Sequence, residues 1–236
     1  MKFEHICVIG LGYIGLPTAS TFATHGIKVT GVDSNPRVVT SLQNGKAHIY
    51  EPGLSEVVSE ALQSGMLQVA SLPVEADAFI IAVPTPFYGD KKADMSYVRS
   101  AAESILPVLR RGNLVVLEST SPPLTTRDIV KPILERSGLK AGEDFLLAYS
   151  PEPVLPGQIL NELINNARVI GGINPQSAEA GRDLYAIFVK GEIVLTDAVT
   201  SEMVKLMENT YRDVNIAIAN EFSRLADRFG VDVWEA

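Results

Sequence analysis

A glycine pattern near the amino terminus, Gly10-Leu11-Gly12-Tyr13-Ile14-Gly15, limits what this chain can fold into more than any other feature, because of what flanks it. Before it, Phe3 to Ile9 is a short apolar stretch rich in β-branched residues, which predicts a buried strand. After it, Leu16 to His25 carries apolar residues at helical spacing, and a second strand-like stretch, Ile27 to Val32, ends in Asp33. Strand, glycine turn, helix, strand and acid are the parts of a dinucleotide-binding unit. Gly10 permits the tight turn, Gly12 lets a pyrophosphate approach the backbone, and Gly15 lets helix and strand pack closely. The free N–H groups and positive dipole end of the helix face the phosphates. Asp33 can accept from both hydroxyls of an adenosine ribose, and its charge would repel a 2′-phosphate. NAD is therefore expected over NADP.

Charge and composition narrow the class of partner. The 28 acidic against 20 basic residues give a net charge of −8, which argues against non-specific binding of nucleic acid or an anionic membrane. An anionic small ligand is not excluded, because one loop can be locally positive. No apolar run is long enough to span a bilayer, and the first residues lack a signal-peptide pattern. The one cysteine, Cys7, lies inside the first strand and reads as a core filler; a single thiol fits a reducing, cytoplasmic setting. His5, His25 and His48 show no ligand spacing, so no metal is expected.

Strand-like runs alternate with helical ones, which predicts an α/β fold built on a doubly wound, mostly parallel Rossmann-type sheet. Further strands are expected at Met66–Val69, Ala78–Val83, Leu114–Leu117, Leu146–Tyr149, Val169–Gly172 and Ile193–Leu195. Asn35-Pro36 and Asn174-Pro175 read as N-caps followed by proline at the first helical position, opening helices to Gln43 and Phe188. Helices are also expected at Leu54–Gln63 and Ser96–Leu109. From Ser201 to Phe229, Met203, Met207, Thr210, Val214, Ile218, Phe222, Leu225 and Phe229 recur every three to four residues, the stripe of one long C-terminal α-helix. The expected division is 1–197, an NAD-binding domain, and 198–236, a connecting and dimerisation helix. Val231–Ala236 reads as the start of another helix, with Trp234 a packing residue, and the design is expected to continue beyond it.

Ligands of doubly wound sheets bind beyond the carboxyl ends of the strands. Val83-Pro84-Thr85-Pro86, Glu118-Ser119-Thr120-Ser121-Pro122-Pro123 and Ser150-Pro151-Glu152-Pro153-Val154-Leu155-Pro156-Gly157 all fall there. Their prolines stiffen the loops and leave hydroxyls and a carboxylate held in place. Thr85 and Thr120 could bond cofactor or substrate, and Glu152 could act as a general base. The bland alternative for each is a capping or turn role. Lys205 and Asn209 stand i, i+4 on the long helix, nearly opposite its apolar stripe. There they could stabilise an oxyanion or merely form a solvated face.

Taken in order, Gly10 to Pro17, Glu51-Pro52-Gly53-Leu54, Val83 to Pro86, Glu118 to Pro122, Pro151-Glu152 with Leu155-Pro156-Gly157, and Lys205-x-x-x-Asn209 resemble the UDP-sugar 6-dehydrogenases. The likeness is closest to their UDP-N-acetylmannosamine dehydrogenase branch, with UDP-glucose dehydrogenase more distant. That resemblance implies oxidation of a sugar C6 alcohol to a carboxylate with two NAD⁺, through an aldehyde captured by a cysteine and a thioester that is then hydrolysed. It implies that Thr120 and Glu152 place and activate water while Lys205 and Asn209 hold the oxyanion. The implied cofactor set is Gly10, Gly12, Tyr13, Ile14, Gly15, Asp33, Arg37, Val83, Thr85, Thr120 and Glu152. The implied partners are a UDP-sugar and, through the long helix, a second copy in a homodimer. The family's nucleophilic cysteine, in a Gly-Gly-His-Cys-type segment, has no counterpart here, and Cys7 cannot replace it. Pro153 stands where the closest relatives carry arginine, and Leu124 where they usually carry glycine. The chain thus reads as the NAD-binding part of such an enzyme. A non-catalytic NAD(H)-binding module is the alternative, and a β-hydroxyacid dehydrogenase, whose Asp-Ala-Pro-Val-Ser-Gly-Gly-like segment is absent, ranks last.

Overall fold

A computed structural model of the chain describes residues 1–89, 92–152 and 154–236. Pro153, singled out above, lies outside the described residues. Eight strands form one sheet: β1 (His5–Ile9), β2 (Lys28–Val32), β3 (Leu67–Ala70), β4 (Ala78–Ile81), β5 (Leu114–Leu117), β6 (Leu146–Tyr149), β7 (Arg168–Gly172) and β8 (Ile193–Asp197). Their order across the sheet is β3-β2-β1-β4-β5-β6-β7-β8. The order of strand addition reverses between the parallel strands β1 and β4, which opens a crevice at their carboxyl ends, where dinucleotides bind in such sheets.

The helices are α1 (Gly15–Thr24), α2 (Pro36–Gln43), α3 (Leu54–Gln63), α4 (Ser96–Ile105), α5 (Lys131–Leu134), α6 (Ile159–Asn165), α7 (Pro175–Tyr185) and α8 (Ala198–Phe229). Both expected N-caps form: Asn35 Oδ1 accepts from the Arg37 amide at 3.0 Å, and Asn174 Oδ1 from the Ser177 amide at 2.8 Å. Two apolar cores lie on the two faces of the sheet. Val8 and Ile80, with Leu16 and Phe22 of α1, belong to one; Cys7, Phe79 and Leu117, with Val98 of α4, belong to the other. This is why the central strands are apolar without alternation: both of their faces are covered.

Several expectations fail, each for a physical reason. α4 ends at Ile105, four residues short, because Pro107 cannot continue the hydrogen-bond ladder. α7 ends at Tyr185 rather than Phe188, in a turn closed by the Phe188 and Val189 amides on the Tyr185 carbonyl. The run 126–134, a π-helical turn leading into α5, and the helix α6 were not foreseen. The strand β7 pairs antiparallel with β6, and β8 runs parallel to β7. Nothing local encodes that reversal. It brings the first residue of β7, Arg168, to the same edge as the carboxyl end of β6.

The long helix settles an open alternative. α8 turns inward the face of Lys205, for which solvation was one of the two readings. Ser201, Glu202 and Lys205 are buried, whereas Met203, Met207, Val214, Ile218, Phe222, Leu225 and Phe229 are exposed. Glu202 explains this orientation: its carboxylate accepts from the Leu124 amide at 2.6 Å and from the Thr126 amide and hydroxyl at 2.8 and 2.6 Å. α8 is anchored by polar groups, and its apolar stripe faces outward. Beyond Gly230 the chain forms a turn, not another helix, and Trp234 is 93% exposed rather than packed.

Leu124 has a left-handed backbone, φ 77°, the only non-glycine residue with positive φ among those described. That conformation suits glycine and costs a side-chain-bearing residue roughly 1–2 kcal/mol. It persists because the Leu124 amide is held by Glu202.

Candidate active site and cofactor cleft

The glycine-rich turn behaves as its spacing requires. Gly10 has φ 95°, and a Cβ there would collide with the Ala82 carbonyl. A Cβ at Gly15 would run into the Gly10 carbonyl, whereas the space beside Gly12 is open. Gly12 thus leaves room for a ligand, and the other two glycines make the backbone bend possible.

Asp33, just beyond β2, closes the pattern. Its Oδ2 accepts from the Leu11 amide at 3.0 Å and its Oδ1 from the Asn35 amide at 2.8 Å. Each oxygen keeps a lone pair, so the carboxylate is oriented yet able to receive two ribose hydroxyls. Gly10, Gly12, Asp33 and Val83 line one cleft of about 510 Å³. It is walled by apolar Val32, Val38, Leu72 and Ala101. An apolar slot with a few fixed polar groups, an open glycine and a held carboxylate fits an adenine dinucleotide. The sequence reading missed Tyr97 and Ser100 of α4, which also line it.

The remaining expected cofactor residues lie around this cleft or apart from it. Tyr13 is exposed, and Ile14 packs half-buried against the core. Arg37 is exposed on the first turn of α2 and does not line the cleft. Thr85 donates its hydroxyl to the Thr120 carbonyl at 2.6 Å, a bond between two loops, and Thr120 itself is half-buried. Ser119 joins the same two loops, accepting from the Val83 amide at 2.9 Å and donating to the Val83 carbonyl at 2.7 Å.

Beyond β6, Glu152 is buried and its carboxylate accepts from the Val154 amide. Lys205 is only 5% exposed and donates to the Glu152 backbone carbonyl at 2.6 Å. Of the two readings of this face, a solvated one is excluded: Lys205 is buried and reaches a loop 53 residues earlier in the chain. Asn209, half-buried, follows one turn along α8. Burial pushes the Glu152 carboxyl up to about 7, against the pull of the Lys205 charge and the Val154 amide. Glu118 raises it further and Arg168 lowers it.

Behind Glu152 lies a polar cluster that sequence reading did not find. Arg168 Nη1 donates to Glu118 Oε1 at 3.2 Å and to Ser150 Oγ at 3.3 Å. The Tyr185 hydroxyl donates to the same Glu118 oxygen at 3.1 Å, and the guanidinium carbon sits 4.3 Å from the Tyr185 ring centroid. Burial pushes the Glu118 carboxyl up, opposed by Arg168 and the Tyr185 hydroxyl. Among the described residues, no group of three or more His, Cys, Asp or Glu side chains could hold a metal ion.

This fold and this cleft define a dinucleotide-binding domain of the Rossmann type with a carboxyl and lysine site at its edge. The chain belongs to the UDP-glucose/GDP-mannose dehydrogenase family: the model of that family's NAD-binding domain matches residues 4–189, and that of its central domain matches 199–236. It is 54% identical over 237 residues to the UDP-N-acetyl-D-mannosamine dehydrogenase of Methanococcus maripaludis, covering 99% of this chain and 54% of that protein. Among solved structures it is similar to the UDP-D-ManNAc dehydrogenase of Pyrococcus horikoshii, with TM-score 0.93 and 48% identity over 98% of this chain and 56% of that one. It is also similar to the UDP-N-acetyl-mannosamine dehydrogenase Cap5O of Staphylococcus aureus, with TM-score 0.90 and 51% identity over 98% of this chain and 57% of that one. The chain spans about half the length of the curated relatives it matches. A 3-hydroxyisobutyrate dehydrogenase of Mycobacterium tuberculosis, 21% identical with TM-score 0.68, shares the fold alone. The described helices include none long and apolar enough to cross a membrane.

Proposed function

We propose that this chain is the NAD-binding part of an enzyme that oxidises the C6 alcohol of a UDP-sugar, UDP-N-acetylmannosamine or a related UDP-N-acetylhexosamine, to the uronic acid. NAD, when bound, supplies the hydride acceptor. The observation that carries this reading is the meeting of Lys205 with the Glu152 backbone beyond the carboxyl end of β6, on the same edge of the sheet as the glycine turn. A carboxyl pushed up to about 7 can accept and return a proton near neutral pH, the property a general base for water or alcohol requires. Lys205 and Asn209 supply a positive charge and an amide donor for a developing oxyanion, and Thr120 a hydroxyl to place water. Cys7 does not supply the thiol that thioester chemistry needs: it is buried in β1, where burial pushes its thiol up to about 11. We place the domain boundary at 197/198 and the protein in the cytoplasm, where its single buried thiol is at home.

Calorimetric titration tests the cofactor assignment. NADH is expected to bind roughly 100-fold more tightly than NADPH, because a 2′-phosphate would face the Asp33 carboxylate at a cost of several kcal/mol. Equal affinity would remove the role given to Asp33, and no binding of either would remove the function.

The outward stripe of α8 supports a second copy as partner. Val214, Ile218, Leu225 and Phe222, the last 61% exposed, form one apolar surface. Such area costs on the order of 25 cal/mol per Å² when left in water. Paired α8 helices related by a two-fold axis would cover it. Light scattering should give a dimer for the wild type and a monomer for Phe222→Asp. A monomeric wild type at high concentration speaks against this assembly.

A further inference from the structure

Among the described residues, Glu51 is the one buried carboxylate that touches both the glycine-rich turn and the loop after Glu152. The Pro52-Gly53 turn, with Gly53 at φ 75°, leads into α3, and the Leu54 amide closes it by bonding the Glu51 carbonyl at 3.1 Å. This fixes the backbone from which the side chain projects. Glu51 is 4% exposed, and both its carboxylate oxygens are used. Oε2 accepts from the Tyr13 hydroxyl at 3.1 Å and from the Gly157 amide at 3.0 Å. Oε1 accepts from the Ile159 amide at 2.9 Å. Burial alone would raise this carboxyl, but the Ile159 and Gly157 amides and the Tyr13 hydroxyl hold it below its usual range, so the bonds are charge-assisted.

One oxygen atom is therefore shared by two segments with different tasks. Tyr13 lies between Gly12 and Gly15 and is 41% exposed, so its ring is open to a ligand on the glycine turn. Its hydroxyl has its short bond to Glu51, with a longer approach of 3.5 Å to the Tyr50 carbonyl. Gly157 and Ile159 end the loop that starts at Glu152. That loop is otherwise held by Lys205 at the Glu152 carbonyl and by Glu162, whose Oε2 accepts from the Leu155 amide at 2.6 Å. The contacts of Glu51 join residues 106 and 108 positions away, so they carry no local secondary structure.

We propose that Glu51 is a positioning residue that transmits dinucleotide occupancy of the glycine-rich turn, through the Tyr13 hydroxyl, to the loop that carries Glu152. The proposal rests on the NAD-binding reading above. A ligand that restrains Tyr13 restrains the carboxylate bonded to its hydroxyl, and a less mobile Glu51 releases the Gly157 and Ile159 amides less often. A purely structural Glu51 would hold those amides equally well with or without dinucleotide.

Hydrogen exchange on the 236-residue protein, with NADH binding measured separately by calorimetry, tells the two apart. In the wild type, saturating NADH should slow exchange of the Gly157 and Ile159 amides by about tenfold. Tyr13→Phe keeps both amide bonds, so its ligand-free protection should match the wild type, and the NADH-dependent increase should disappear even at saturation. Glu51→Gln should lower protection of the same amides already without ligand. The same NADH-dependent increase in Tyr13→Phe as in the wild type overturns the proposal. So does a wild type that binds NADH with no change at these amides. Absence of NADH binding overturns both the proposal and the reading beneath it.

Discussion

Arg168→Met is expected to lower folding stability at pH 8 by about 3–5 kcal/mol, the cost of removing one partner from a buried ion pair. The side chain is fully buried, and it reaches Glu118, Ser150 and the face of Tyr185 at once. Without the guanidinium, Glu118 keeps just the hydroxyls of Tyr185 and Thr18 against its burial. Its carboxyl, already raised, moves higher and takes up a proton on folding over a wider range of pH. Because the folded state then binds more protons than the unfolded one, stability falls as pH rises, and the deficit of the variant should be larger at pH 9 than at pH 5. For a chain of this size the loss corresponds to roughly 10 °C in melting temperature. The double variant Arg168→Met/Glu118→Gln should recover much of it, because no charge is then left buried alone. A single variant within 1 kcal/mol of the wild type at pH 8 would show that the pair does not support the fold.

The second large effect belongs to Glu152 and has the opposite sign. Its folded carboxyl stands at about 7 because of burial, against an ordinary value near 4.5. Below the ordinary value both states are protonated and the group costs nothing. As pH rises from there through 7, the unfolded chain ionises first, and the wild type loses stability that it does not regain at higher pH. The full penalty is about 3 kcal/mol from the size of the shift. Glu152→Gln keeps an oxygen for the Val154 amide and removes the ionisation. Denaturant melts should therefore show a variant more stable than the wild type by up to about 3 kcal/mol at pH 8, with the difference shrinking toward zero near pH 4.5. If the two proteins differ by the same amount at both pH values, Glu152 ionises normally and its assignment as a base poised near neutrality fails.

Much of this protein was legible residue by residue because the responsible physics is local. The positive φ of Gly10, the open side of Gly12, the proline-initiated helices α2 and α7 and the unbroken apolar runs of β4 and β5 all follow from neighbours in the chain. Asp33 follows too, since a strand ending in an acid after the glycine turn has one place to go. The positions of Thr120, Glu152, Lys205 and Asn209 were nominated by an ordered set of motifs, which says which residues matter without saying what each touches.

Tertiary structure decided what those residues touch. Hydrophobic periodicity along α8 reports where apolar side chains repeat; it cannot report that Lys205 and Glu202 have partners 53 and 76 residues away that make burying them tolerable. Periodicity therefore leaves open whether the face of Lys205 and Asn209 is solvated or holds an oxyanion, and long-range partners decide it. The reversal of β7 is of the same kind, since an apolar strand reads alike in either direction, yet only the antiparallel pairing brings Arg168 beside Glu118, 50 residues before it. Glu51 was visible as part of a motif, and its task was not, because its partners at Gly157 and Ile159 lie more than 100 residues on. Sequence alone determined most of the strands, the glycine turn and the acid that follows it, where each depends on adjacent backbone and charge. Folding decided which polar groups could be buried, because a buried charge is stable only when distant parts of the chain bring it a partner.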